Sequence, residues 1–84
     1  MSKVTVKYRG HLSDITGTGE EIMEASDIKG LLKSLGKLHG REAEKAATAM
    51  LIALNGESIN LLKRFKTALK EGDTVNFFPL SAGG

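Results

Sequence analysis

The chain ends in Val75-Asn-Phe-Phe-Pro-Leu-Ser-Ala-Gly-Gly84. Val75, Phe77 and Phe78 are β-branched or aromatic, and alternation puts Val75 and Phe77 on one face, so the run to Phe78 reads as a strand. Pro79 stops that strand, because proline has no N–H to give a sheet ladder, and it holds Phe78 extended. Beyond Pro79 only Leu80 to Gly84 follow, which reach at most roughly 17 Å. The expectation is a folded domain over 1–78 and a thin, flexible tail over 79–84. Gly83 and Gly84 lack a Cβ, so the end can thread a tight channel and nothing crowds attack on the Gly84 carbonyl carbon. Many termini are small and polar without purpose, and Gly-Gly alone is a weak signal. Strand, proline, short tail and terminal Gly-Gly together are a much stronger one.

Eighty-four residues allow one domain with a small core. Apolar content of 40% and charged content of 26% are ordinary for a globular protein. No run of about 18 apolar residues is present, so no membrane span or membrane partner is expected. Met1-Ser-Lys-Val-Thr-Val enters a strand directly, without a signal peptide, so the expected location is cytoplasmic. The absence of cysteine excludes disulfides, zinc–thiolate sites and a thiol nucleophile. A net charge of +2 and four aromatic residues argue against a nucleic-acid partner. Lys29, Lys33 and Lys37, and the group Lys63, Arg64 and Lys66, read as solvated surface in preference to a docking patch for an acidic partner.

Val4, Val6 and Tyr8 alternate with Thr5, Lys7 and Arg9, which predicts a first strand. Residues 10 to 20 hold three glycines and short polar residues and read as a loop, with Leu12 and Ile15 tucked onto the core through a short helical turn. Glu21 to Glu24 form a brief second strand, antiparallel to the first. Ser26 is the expected helix N-cap, with Asp27 in the first turn. Ile28, Leu31, Leu32, Leu35 and Leu38 then recur at helical spacing. Gly30 marks a close approach to the sheet, and Gly36 is either interior or an early C-terminal cap.

Arg41 to Thr48 is alanine-rich and predicts a short second helix. Leu51 to Leu54 suits a buried strand. Asn55-Gly56 is a strong hairpin signal, with Glu57 to Ile59 as the return strand. Residues 60 to 72 are a connection, and Glu71-Gly72-Asp73 turns into the last strand. The order ββα(α)βββ predicts an α+β fold: a mixed sheet of about five strands against one main helix plus a short second helix.

No catalytic set is legible. His11 and His39 lie far apart without a ligand motif and read as surface histidines, so no metal site is expected. Ser81 has no base partner. Glu20, Glu21 and Glu24 read as a solvated acidic edge. Gly17-Thr-Gly19 is too short to be a phosphate loop. What remains is the Gly84 carboxylate, ionised at neutral pH with a reference pKa of roughly 3.5 and therefore a poor electrophile. It reacts only after a leaving group such as AMP is attached. Nothing in the chain binds ATP or supplies a thiol, so no bound cofactor is expected and ATP would be used by an activating partner.

Leu69-Lys-Glu-Gly-Asp-Thr-Val-Asn-Phe-Phe-Pro79 with the tail Leu80 to Gly84 resembles the C-terminal signature of the small sulfur-carrier proteins. That family includes the small subunit of molybdopterin synthase and its thiazole-pathway relative, both of the ubiquitin-like β-grasp fold. Lys3 to Tyr8, Leu12-Ser-Asp-Ile-Thr-Gly17, Asp27 to Leu35 and Leu51-Ile-Ala-Leu-Asn-Gly-Glu57 extend the resemblance over most of the chain. It implies that an adenylating enzyme related to the ubiquitin-activating enzymes activates Gly84. A sulfur donor then converts Gly84 to a thiocarboxylate, and the large subunit of molybdopterin synthase accepts the tail. Gly83 gives access, and Phe78, Pro79, Leu80, Ser81 and Ala82 belong to the docking segment. Phe78 is either an exposed apolar contact or packed under a loop. The chain would then be a carrier subunit and not an enzyme. Chain size and Phe77-Phe-Pro79 favour the molybdopterin type over the thiazole carrier. A ubiquitin-like modifier joined to lysines through Gly84 is the other reading.

Overall fold

The computed structural model describes residues 1–80. The alternation of Val4 and Val6 with polar neighbours gives strand β1, Ser2–Lys7, and both valines are buried. Strand β2, Glu20–Ala25, is one residue longer at each end than expected, because its antiparallel register with β1 runs unbroken from Ser2↔Ala25 to Lys7↔Glu20. Between them the expected helical turn is a six-residue helix, α1 (His11–Thr16), which buries Leu12. Gly17 ends α1 in the left-handed conformation, φ 78°, and donates its N–H to the Ser13 carbonyl at 2.9 Å.

Helix α2 spans Ile28–His39. Its N-cap is Asp27 and not Ser26: Asp27 is extended, and its Oδ1 accepts the Gly30 N–H at 2.7 Å. Gly30 therefore faces its own cap and not the sheet, with Asp27 Oδ1 3.1 Å from where a Cβ would stand. Gly36 does not end the helix. It lies under the Glu44 side chain of the next helix, so its missing Cβ admits a neighbour, and the helix continues until Gly40 donates to the Gly36 carbonyl at 2.8 Å. Ile28, Leu31, Leu32 and Leu35 are buried. Leu38, expected in the same stripe, is 60% exposed because the last turn presents His39, and not Leu38, to Tyr8 and Glu21.

Helix α3, Arg41–Thr48, buries Ala43 and Ala47, whose small side chains let it lie close on α2. Strand β3 is Leu51–Leu54. Asn55 (φ 51°) and Gly56 (φ 88°) make the tight turn that their sequence announces. The return strand β4 is shorter than expected, Glu57–Ser58 only. Ile59 instead starts a 3-10 turn, where the Ser58 hydroxyl accepts the Asn60 N–H, and its side chain drops into the core. The connection that follows is tied to the start of α2 by Ile28 N–H to the Thr67 carbonyl and Leu69 N–H to the Ser26 carbonyl, which buries Leu69 and leaves Leu61 exposed.

Strand β5, Thr74–Phe78, completes a mixed sheet of order β2-β1-β5-β3-β4. It runs parallel to β1 and antiparallel to β3. Val75 and Phe77 face the helices, as alternation predicts, and join Val4, Val6, Ile52, Leu31 and Leu35 in one core. The fold is the expected ubiquitin-like β-grasp, with α1 as a third helix beside the two foreseen.

Candidate functional site

Strand β5 is the middle strand of five, so both of its edges are hydrogen-bonded. Its register reaches Leu51↔Phe78 on the β3 side and Lys7↔Asn76 on the β1 side. The strand is thus held from two directions as far as Asn76, and β3 alone carries the pairing on to Phe78. Pro79 and Leu80 emerge from that anchor exposed, Leu80 by 63%.

The segment that follows β1 clamps this root. The Arg9 guanidinium sits 5.1 Å from the centroid of the Phe78 ring, a cation–π contact on the sheet face that the helices do not cover. Pro79 Cγ lies 3.0 Å from where a Cβ on Gly10 would stand, and Gly10 has φ 61°. Leu51, beside Phe78 in the register, is 37% exposed. Phe78, Leu51, Pro79 and Leu80 form an apolar platform flanked by one cation. Phe78 is half-buried under Arg9, so it is both a contact surface and a packed side chain.

The inner face of the same strand end is fixed by a polar cluster. Phe77 stacks on Tyr8 with ring centroids 6.0 Å apart. The Tyr8 hydroxyl donates to Glu21 Oε2 at 2.5 Å, and His39 Nε2 meets the same oxygen at 2.5 Å. A carboxylate only accepts, so both neighbours donate to it. Burial, then the hydrogen bond and charge of Glu21, push the Tyr8 hydroxyl pKa above its ordinary value. Glu21 is therefore no solvated edge and His39 no free surface histidine. They tie β2 and the end of α2 to β1 and β5. Glu20, Glu24 and His11 are exposed, as expected.

Of the residues expected to dock partners, Phe78, Pro79 and Leu80 come together at the end of β5. Ser81, Ala82, Gly83 and Gly84 lie outside the described residues. Arg9, Gly10 and Leu51 were not singled out from the sequence. The signal for them is long-range: the parallel pairing of β1 with β5 brings residues 69 positions apart side by side, and no local pattern reports it. Among the described residues no three His, Asp or Glu side chains are grouped to hold a metal, and no helix is long and apolar enough to cross a membrane. The arrangement offers a docking platform and a rigid root for the tail.

Comparison with solved structures extends the likeness over the whole chain. The small archaeal modifier protein 1 of Methanosarcina acetivorans superposes with a TM-score of 0.86 at 25% identity, covering 100% of this chain and 98% of that one. Subunit 1 of the molybdopterin-converting factor of Helicobacter pylori, solved in complex with subunit 2, gives 0.69 at 25% identity, covering 98% and 99%. A putative molybdopterin converting factor subunit 1 of Pyrococcus furiosus gives 0.73 at 24% identity, covering 94% and 98%. No curated protein sequence matches the chain. The ThiS family model matches residues 6–84. With the β-grasp sheet and the rooted C-terminal strand in place, that match makes the chain a member of the ThiS family of ubiquitin-like sulfur carriers.

Proposed function

We propose that the chain carries sulfur as a thiocarboxylate on Gly84, as the small, non-catalytic subunit of a cytoplasmic molybdopterin synthase. The carboxylate attacks the α-phosphorus of ATP on an adenylating partner, releasing pyrophosphate. Sulfur from a donor then displaces AMP from the acyl-adenylate. The thiocarboxylate passes its sulfur to the pterin precursor of the molybdenum or tungsten cofactor in the large subunit. This chain supplies reach and placement, while ATP and the sulfur donor are handled by partners.

The observation that carries the reading is the platform of half-buried Phe78 and exposed Pro79 and Leu80 at the end of the central strand, directly before the residues that lead to Gly83 and Gly84. It suits a partner that grips the root and takes the tail into its own site. The likeness to a subunit 1 held in complex with a subunit 2 supports a large-subunit partner. The test is the intact mass of the protein from its own cells. A species heavier by the difference between sulfur and oxygen, localised to Gly84, supports carriage. An unmodified mass that persists after incubation with the activating enzyme, ATP and a sulfur donor overturns it.

A protein modifier is the second reading, favoured by the 0.86 superposition on a small archaeal modifier protein. It predicts isopeptide-linked conjugates that vanish when Gly84 is deleted. Stable binding to a thiazole synthase instead of a large molybdopterin synthase subunit would move the chain to the thiazole pathway.

A further inference from the structure

The helix side of the molecule carries a feature that the tail chemistry leaves unused. Lys29, Lys33 and Lys37 recur every fourth residue on α2, so they form one row about 12 Å long. Arg41 and Lys45 form a second such row on α3, and Lys66 closes one end. These six cations line a groove made of three adjoining hollows that share Glu44, between the helices and the 3-10 turn Arg64–Lys66. All six are exposed. They are half of the chain's twelve Lys and Arg residues, although its net charge is only +2. Among the described residues the one ion pair joins His39 to Glu21, so no carboxylate there lies within ion-pairing distance of any of the six.

The floor of the groove is apolar, lined by Leu32 and the half-buried Phe65 beside Thr48. Its single acidic lining residue is Glu44, which packs over Gly36. Like charges held in two rows with only Glu44 between them repel one another, and an anionic partner relieves that repulsion.

We propose that this groove docks an acidic amphipathic helix of a partner protein. Carboxylates one turn apart on such a helix match the one-turn spacing of both basic rows, and an apolar side chain between them meets Leu32 and Phe65. A nucleic-acid backbone fits less well. The groove's apolar floor has no use for phosphates, and no fully exposed aromatic ring is present for base stacking among the described residues. The groove lies on the side of the sheet opposite Phe78 and Arg9, since Phe77 faces the helices and Phe78 faces away. A partner on the groove therefore leaves the tail root free. The surface stands whether or not Gly84 carries sulfur.

The test uses the full-length, isotopically labelled chain and a synthetic helical peptide with Glu at every fourth position and Leu on the adjacent stripe. Amide shifts clustered on Lys33, Gly36, Thr48 and Phe65, with affinity that falls as salt rises, are the expected result. The double variant Lys33→Glu with Arg41→Glu weakens binding by about tenfold or more while its spectrum stays dispersed, which excludes misfolding. The idea fails if the peptide with Gln for Glu binds as well, or if the shifts map to Phe78 and Leu51. Tighter binding of duplex RNA, or the same shifts on concentrating the chain alone, would replace the acidic helix by nucleic acid or a second copy and also overturn it. An absence of any shift has the same consequence.

Discussion

Gly10 and Pro79 touch: the proline Cγ stands 3.0 Å from where a β-carbon on Gly10 would be. The contact joins the segment after β1 to the first residue of the tail. It exists because Gly10 has φ 61° and ψ −136°, a region essentially reserved for glycine, and because no side chain fills the gap.

Gly10→Ala should therefore do two things. It forces a Cβ into a backbone conformation that costs about 1–3 kcal/mol. It also pushes Pro79 outward, because a ring carbon at that distance must give way. Denaturant unfolding reports the first, and chemical shifts of Phe78 and Leu80 report the second. Unchanged stability and unchanged shifts would show that Pro79 is not seated on Gly10.

Phe78 separates docking from stability. It is half-buried under Arg9, and a surface cation–π contact is worth about 0.5–1 kcal/mol. Phe78→Ala should cost about 1–2 kcal/mol of stability, since only part of the ring leaves a packed site. If the platform is a docking surface, the same change weakens binding to the large synthase subunit by more than tenfold, as central aromatic anchors do. Titration calorimetry decides, and undiminished affinity would remove Phe78 from the interface.

Tyr8 is the chain's one tyrosine, so its phenol can be titrated by absorbance without ambiguity. Burial and Glu21 raise its folded pKa above the ordinary value of 10.0. The stability from this raised group is fully present below pH 10. It is lost as pH rises from there through the folded value, because the unfolded chain ionises first. The native protein should show no phenolate absorbance at pH 10.5, about half a unit above the ordinary value, and should lose stability above pH 10. Tyr8→Phe should flatten that alkaline slope. An ordinary phenol titration in the native state would contradict the buried Tyr8–Glu21 pairing.

Asp27 and Ser26 are adjacent, and both are N-cap residue types. Only Asp27 receives the Gly30 N–H, and the Ser26 side chain makes no hydrogen bond among the described residues. Asp27→Ala should cost about 1 kcal/mol and Ser26→Ala close to nothing. Thermal unfolding of the pair of variants distinguishes them, and equal effects would contradict the cap.

Periodicity was enough to read β1, α2, α3, the Asn55-Gly56 turn and the inward face of β5, because each rests on neighbours within a few residues. The terminal Phe-Pro and Gly-Gly pattern pointed to the family for the same reason: the signature is contiguous. Other features had no local trace. The Ser26 cap was misread because choosing between two adjacent polar residues depends on where the chain crosses residues 67 to 69. Leu38 was misplaced because the inward position of the last turn of α2 falls to His39, a polar residue that the apolar stripe did not include. Glu21 and His39 became partners only when β2 and the end of α2 met beside Tyr8. Arg9 and Gly10 reached the tail root through the parallel pairing of the first strand with the last. Local chemistry wrote the strands, helices and tail into the chain. The clamp at the tail's root and the polar cluster beneath it were settled by packing, since residues distant in sequence acquire roles only when long-range contacts bring them within a few ångströms.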